Sequence, residues 1–147
     1  MKPIRSLSRL APAFLLSTGL AMNVGAIAAS AQMYNPIKLS SQEVQDTLST
    51  ADIPTGTGGF ARDYTIALEA DDQITVDAIS EEFDTLVTLM DSNGVIVNEN
   101  DDGPDGSTNS LLFARITEPG TYTIRVRSYA GGGAGPFSLK LTRLRPI

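Results

Sequence analysis

At 147 residues, the chain is long enough for one domain and too short for two of ordinary size. It has neither Cys nor His, which removes disulfides, Cys-His and Ser-His-Asp nucleophiles and the usual zinc ligands. Its 17 Asp and Glu against 11 Lys and Arg give a net charge of −6, a balance that repels nucleic acid and anionic lipid and favours cations.

In chain order, Lys2, Arg5 and Arg9 precede an apolar stretch from about Leu10 to Ala28, and Ala29-Ser30-Ala31 forms an A-x-A cleavage pattern. Residues 1–31 therefore read as a Sec-type secretory signal peptide. Pro12, Ser17, Thr18, Gly19 and Asn23 interrupt the stretch too often for a span of about 20 apolar residues. An exported protein, periplasmic or extracellular, is expected, with no transmembrane segment after cleavage. All the acidic residues and all but three of the basic ones follow residue 31, so cleavage there moves the net charge from −6 to −9.

Residues 32–42 are polar, contain Pro36 and lack periodicity, and read as an N-terminal arm. Residues 43–147 read as the folded domain. In Glu43 to Thr50, the four-residue spacing of Val44 and Leu48 suits a helix, whereas Thr47 and Thr50 favour a strand; the strand is preferred. From Arg62 onward the period is two: Tyr64, Ile66 and Leu68 share one face, then Ile74, Val76 and Ala78. Residues 84–90 and 110–116 are apolar on both faces, as in strands covered on both sides. Between them lie a turn at Asn93-Gly94, a strand from Val95 to Glu99, and a loop rich in Asp, Asn and Gly. Tyr122, Ile124 and Val126 then alternate with Thr123, Arg125 and Arg127. A flexible glycine-rich loop follows, and a last strand carries Phe137, Leu139 and Leu141. Seven to eight short strands with regular turns and no long helix predict an all-β, antiparallel β-sandwich, with a closed barrel as the rival.

A carboxylate acid/base pair is compatible with the composition, but there is no Trp to line a sugar cleft and no carboxylate is buried by pattern, so catalysis is not expected. Arg125, Arg127 and Lys140 form an outward basic stripe that either docks an anionic polymer or pairs with surface carboxylates.

Several segments together resemble the bacterial pre-peptidase C-terminal domain. They are Asp63-Tyr64-Thr65-Ile66, Phe83-Asp84-Thr85 running into Leu89, Asn93-Gly94, Asn100-Asp101-Asp102 followed by Ser110, Gly120-Thr121-Tyr122, and Gly135 with Phe137, Leu139 and Leu141. The resemblance covers roughly residues 43–144. It implies a jelly-roll sandwich and a non-catalytic accessory domain, some relatives being similar to calcium-dependent collagen- or substrate-binding modules. Two departures are that no peptidase domain accompanies it in these residues, and that the final aromatic, commonly Tyr, is Phe137.

The acidic loop admits two readings. Asp and Asn form turns by bonding their own backbone. Alternatively, hard oxygen ligands collect a Ca²⁺ ion, with Asp101, Asp102 and Asp105 as ligands and Asp84 or Asp63 as partners across the sheet. Asn98, Asn100, Asp102, Gly103 and Asn109 imitate the spacing of an EF-hand loop, but position twelve lacks the bidentate Glu. The expected function is an exported module binding a protein or polysaccharide, with calcium as a possible cofactor. The alternative is a structural or chaperone-like accessory to a separately encoded exported hydrolase.

Overall fold

The structure, a computed structural model, describes residues 34–144; the signal-peptide reading of residues 1–31 lies outside the described residues. Ten strands form two sheets: β1 (Ile37–Lys38), β2 (Glu43–Leu48), β3 (Ile53–Pro54), β4 (Phe60–Leu68), β5 (Gln73–Ile79), β6 (Thr85–Met90), β7 (Ile96–Asn100), β8 (Ser110–Arg115), β9 (Gly120–Ser128) and β10 (Gly135–Leu144). One sheet runs β1-β4-β9-β6-β7 with β3 added at β4, and the other runs β2-β10-β5-β8. Every pairing is antiparallel except that of β1 with β4. Without the two-residue β1 and β3, the partners nest: β2 with β10, β4 with β9, β5 with β8, β6 with β7. This is one long hairpin wound on itself, the jelly roll.

Alternation decides the core. Tyr64, Leu68, Val87, Leu89, Tyr122, Ile124 and Val126 face inward from the larger sheet. Leu48, Ile74, Val76, Ala78, Leu112, Phe137, Leu139 and Leu141 meet them from the other. Phe137 stands edge-on to both Tyr64 and Phe83, with ring centroids 6.4 and 6.2 Å away. The segment at Glu43 is a strand, as preferred from its threonines, because β10 pairs along its whole length.

The Tyr64 hydroxyl leaves the core at its margin and donates to Asp46 Oδ2 at 2.7 Å, which also accepts from Arg62 Nε at 2.7 Å. Arg62 reaches Asp52 as well, at 2.6 Å, so this cluster ties β2 of one sheet to β4 of the other. Burial, followed by the bond to Asp46, pushes the Tyr64 hydroxyl well above its ordinary range. Burial also opposes the charge on Asp46, but Tyr64, the Thr47 amide and Arg62 outweigh it and hold the carboxyl below the usual range. Tyr64→Phe is expected to cost about 1–2 kcal/mol in urea denaturation at pH 7. Because the folded pKa of Asp46 is depressed, its contribution is complete above the ordinary carboxylate range and disappears as pH falls through the folded value. The gap between wild type and Tyr64→Phe should narrow over that same interval.

Two sequence expectations are corrected. β8 is covered on one face only: Leu112 and Ala114 point inward, whereas Phe113 is 49% exposed, because β8 is the edge of its sheet. The glycine-rich segment after β9 is not slack. Gly59 and Gly131 both have positive φ and their backbones abut so closely that a Cβ on Gly59 would strike the Gly131 carbonyl. Gly133 donates from its amide to Ser128 Oγ at 2.9 Å.

Candidate functional site

The acidic loop between β7 and β8 is shaped mainly by its own amides and carboxylates. Asn100 Nδ2 donates to the carbonyls of Asp102 and Leu111 at 2.7 and 2.8 Å, while its Oδ1 accepts from the Asp101 amide at 3.1 Å. Asp105 Oδ1 accepts from the Ser107 hydroxyl and amide, and these bonds hold its carboxyl below the usual range. Gly106 donates to the Gly103 carbonyl, closing a tight turn. The loop is anchored to the core by Thr85, fully buried, whose amide donates to the Thr108 carbonyl at 3.0 Å and whose hydroxyl lies 2.7 Å from Ser110 Oγ.

Asp84 is the exception. Its Oδ1 is buried and has no hydrogen-bond partner among the described residues. Burial, then the charges of Asp101 and Asp102, push its carboxyl above the usual range. The fold therefore brings Asp84, Asp101 and Asp102 within mutual electrostatic reach. Among the described residues, no three carboxylates gather closely enough to hold a metal ion as they stand.

Asp63, a partner expected from the sequence, belongs elsewhere. It lies on the outer face of the larger sheet, its side chain inaccessible, where Arg125 Nε and Nη2 grip its two oxygens at 2.7 Å each. Tyr34 donates to the same carboxylate at 2.6 Å and so pins the N-terminal arm. The basic stripe expected from the sequence does not form, because Arg125 and Arg127 lie on one sheet and Lys140 on the other; Arg125 is paired with Asp63, and Arg127 lies 3.9 Å from Glu99. On the other sheet Lys140 is in register with Asp77.

The surface least satisfied by the fold is the side where β7 meets β8. Val95, Ile96, Val97 and Phe113 are each at least 44% exposed there. The two strand edges do not pair through their backbones; Asn98 Nδ2 instead donates to the Phe113 carbonyl at 2.7 Å, and Asn100 to that of Leu111. A bulge between Leu89 and Met90 places Val97 opposite no residue of β6. Val97 thereby reaches the wall of a cleft of about 210 Å³, shared with Asp91, Asn93, Ile116, Glu118 and Tyr122. Asp91 Oδ1 accepts from the amides of Asn93 and Val95 and shapes the turn into β7. Glu118 offers its backbone carbonyl to Tyr122, while its carboxylate has no partner among the described residues. The sequence did carry a sign of this surface: three consecutive apolar residues, Val95 to Val97, on a strand that does not alternate.

Residues 61–128 match the family model of the bacterial pre-peptidase C-terminal domain. Among solved structures, the chain is similar to the pre-peptidase C-terminal domain of collagenase from Bacillus anthracis. The identity is 14% over 74% of this chain and 93% of that one, with a TM-score of 0.54. It is also similar to PliG of Aeromonas hydrophila, a periplasmic inhibitor of g-type lysozyme. Here the identity is 17% over 74% and 96% of the two chains, with a TM-score of 0.52. No curated protein sequence matches the chain. Among the described residues, no helix is long and apolar enough to cross a membrane.

Proposed function

We propose, from the premise that the chain carries a bacterial pre-peptidase C-terminal domain, that it is a non-catalytic exported module that binds a protein or polysaccharide at the cell surface or outside the cell. The observation that carries this reading is the exposed apolar strip of Val95, Ile96, Val97 and Phe113. Exposed apolar residues gathered on one edge strand and its neighbour are a feature of interaction sites. A protein partner fits it better than a sugar, which is usually stacked on Trp, absent here. Export is supported by the signal-like N-terminal sequence and by the likeness to a periplasmic protein. The test is saturable retention of the purified protein on cell-envelope or extracellular-matrix fractions. Retention should fall when Ile96 and Phe113 are both replaced by Ser, and full retention by that variant would refute the role of the strip.

The alternative, an accessory to a separately encoded exported enzyme, is supported by PliG, a protein of this fold that inhibits such an enzyme. A co-purifying hydrolase whose activity changes on binding would favour it.

A second feature of the same module rests on Asp84. Its orphaned buried oxygen and the neighbouring Asp101 and Asp102 supply only hard oxygen donors, the chemistry Ca²⁺ requires. Asp105, bonded to Ser107, and Asp63, gripped by Arg125, are not members of this set. Added Ca²⁺ should raise the melting temperature relative to EGTA, and Asp84→Asn should abolish that rise. In EGTA, Asp84→Asn should itself melt higher than wild type at neutral pH. The folded pKa of Asp84 is raised, so its favourable contribution is complete below the ordinary carboxylate range and is lost as pH rises through the folded value. Identical melting with and without Ca²⁺ would remove the ion and leave the loop as a set of self-bonded turns.

A further inference from the structure

We propose that the cleft beside β7 receives a Lys or Arg side chain from a protein partner, while apolar residues flanking that side chain lie along Val95, Ile96 and Val97. The inference rests on the binding-module reading and specifies the chemistry of what is bound.

Three observations converge. The cleft, at about 210 Å³, is smaller than the roughly 300–1,000 Å³ of small-molecule sites and is sized for a single inserted side chain. Its titratable groups are Asp91, Glu118 and Tyr122, with no Lys or Arg among the lining residues. No ion pair neutralises Asp91 or Glu118 among the described residues, although Asp71, Asp72, Asp63, Asp46 and Asp52 each have an Arg partner. Asp91 and Glu118 thus belong to the carboxylates that no Arg among the described residues neutralises, and both line one cleft. An entering cation gains their attraction without displacing a resident one.

The apolar strip fixes what surrounds that cation. Val97 belongs both to the cleft wall and to the exposed strip, so the two surfaces are continuous. A segment with a basic residue between apolar neighbours satisfies both, whereas an acidic segment is repelled by Asp91 and Glu118. The net charge of −6 extends the same preference over long range and speeds encounter with a basic partner.

The probe is an acetylated, amidated peptide with Lys between two Val, titrated into the ¹⁵N-labelled protein. Amide shifts are expected at residues 91–97 and 116–122, disappearing at about 1 M salt, where the Debye length is about 3 Å. The same peptide with Glu in place of Lys should produce none. Asp91→Asn combined with Glu118→Gln should weaken binding about tenfold or more. Both replacements keep their side-chain oxygens, so the Asp91 turn survives. Equal shifts from the Lys and Glu peptides, shifts confined to other residues, or no shifts at millimolar peptide would overturn the proposal. So would concentration-dependent shifts at these amides without peptide, matched by dimer in sedimentation, since a second copy would then occupy the strip. Retention of the double variant on envelope fractions separates the two levels: undiminished retention sinks the cation cleft alone, whereas absent retention of wild type sinks the module reading.

Discussion

Arg125→Ala is expected to remove about 3 kcal/mol of folding stability, toward the lower end of what breaking a buried ion pair costs. Asp63 is the reason. Its side chain is inaccessible to solvent, and its two oxygens are held by two nitrogens of Arg125 at 2.7 Å each. Without Arg125, a carboxylate remains buried in the outer face of the sheet with only the Tyr34 hydroxyl as a donor. Arg125 itself is about one-third exposed, which tempers the loss. Arg125→Lys should recover little, because an ammonium cannot reproduce the two-pronged grip. The informative comparison is the double replacement Asp63→Leu with Arg125→Met, which leaves no charge unpaired. If urea denaturation shows the double variant to be more stable than Arg125→Ala, the cost lies in the stranded carboxylate rather than in lost packing. A double variant as unstable as the single one would refute that account.

Phe137→Ala is expected to cost about 3–5 kcal/mol, the range for deleting a buried aromatic ring. Phe137 is 3% exposed and sits where three elements converge: β10 that carries it, Tyr64 from the facing sheet and Phe83 from the approach to β6. Both neighbouring rings meet it edge-on, so its removal forfeits two aromatic contacts as well as buried area. Phe137→Leu should cost less, since it fills more of the space than Ala does. Equilibrium denaturation of the two variants tests this order, and equal losses would mean that ring geometry rather than volume sets the cost. Losses of this size consume much of the roughly 5–15 kcal/mol that a domain of ordinary stability possesses.

Much of the fold was legible because strand residues announce themselves by alternation. Tyr122, Ile124 and Val126, and likewise Phe137, Leu139 and Leu141, point inward as their period-two spacing requires. Of the topology only the jelly-roll class was legible, through the family resemblance; the strand order was not, since β2 and β10 carry nothing in sequence that marks them as neighbours. β8 misled because Phe113 is apolar but lies on an edge strand; periodicity reports residue character, not what the other layer covers. Of the carboxylates singled out from the sequence, Asp84, Asp101 and Asp102 come within electrostatic reach, whereas Asp63 and Asp105 take other partners. No local pattern could separate these fates, because Arg125 meets Asp63 across 62 residues of sequence. The cleft at Asp91 and Glu118 escaped for the same reason: its walls come from two turns distant in sequence.

The nested pairing of strands also sets an order in time. Leu48 pairs with Gly135, so β2 has no strand partner until β10 has been made. At roughly 5–20 residues per second, the ribosome needs about 4–20 s to travel between them. During that interval β4 can meet β9 and β5 can meet β8, but the strand that joins β2 to β5 is still missing. The smaller sheet is therefore completed last, when β10 slots between β2 and β5.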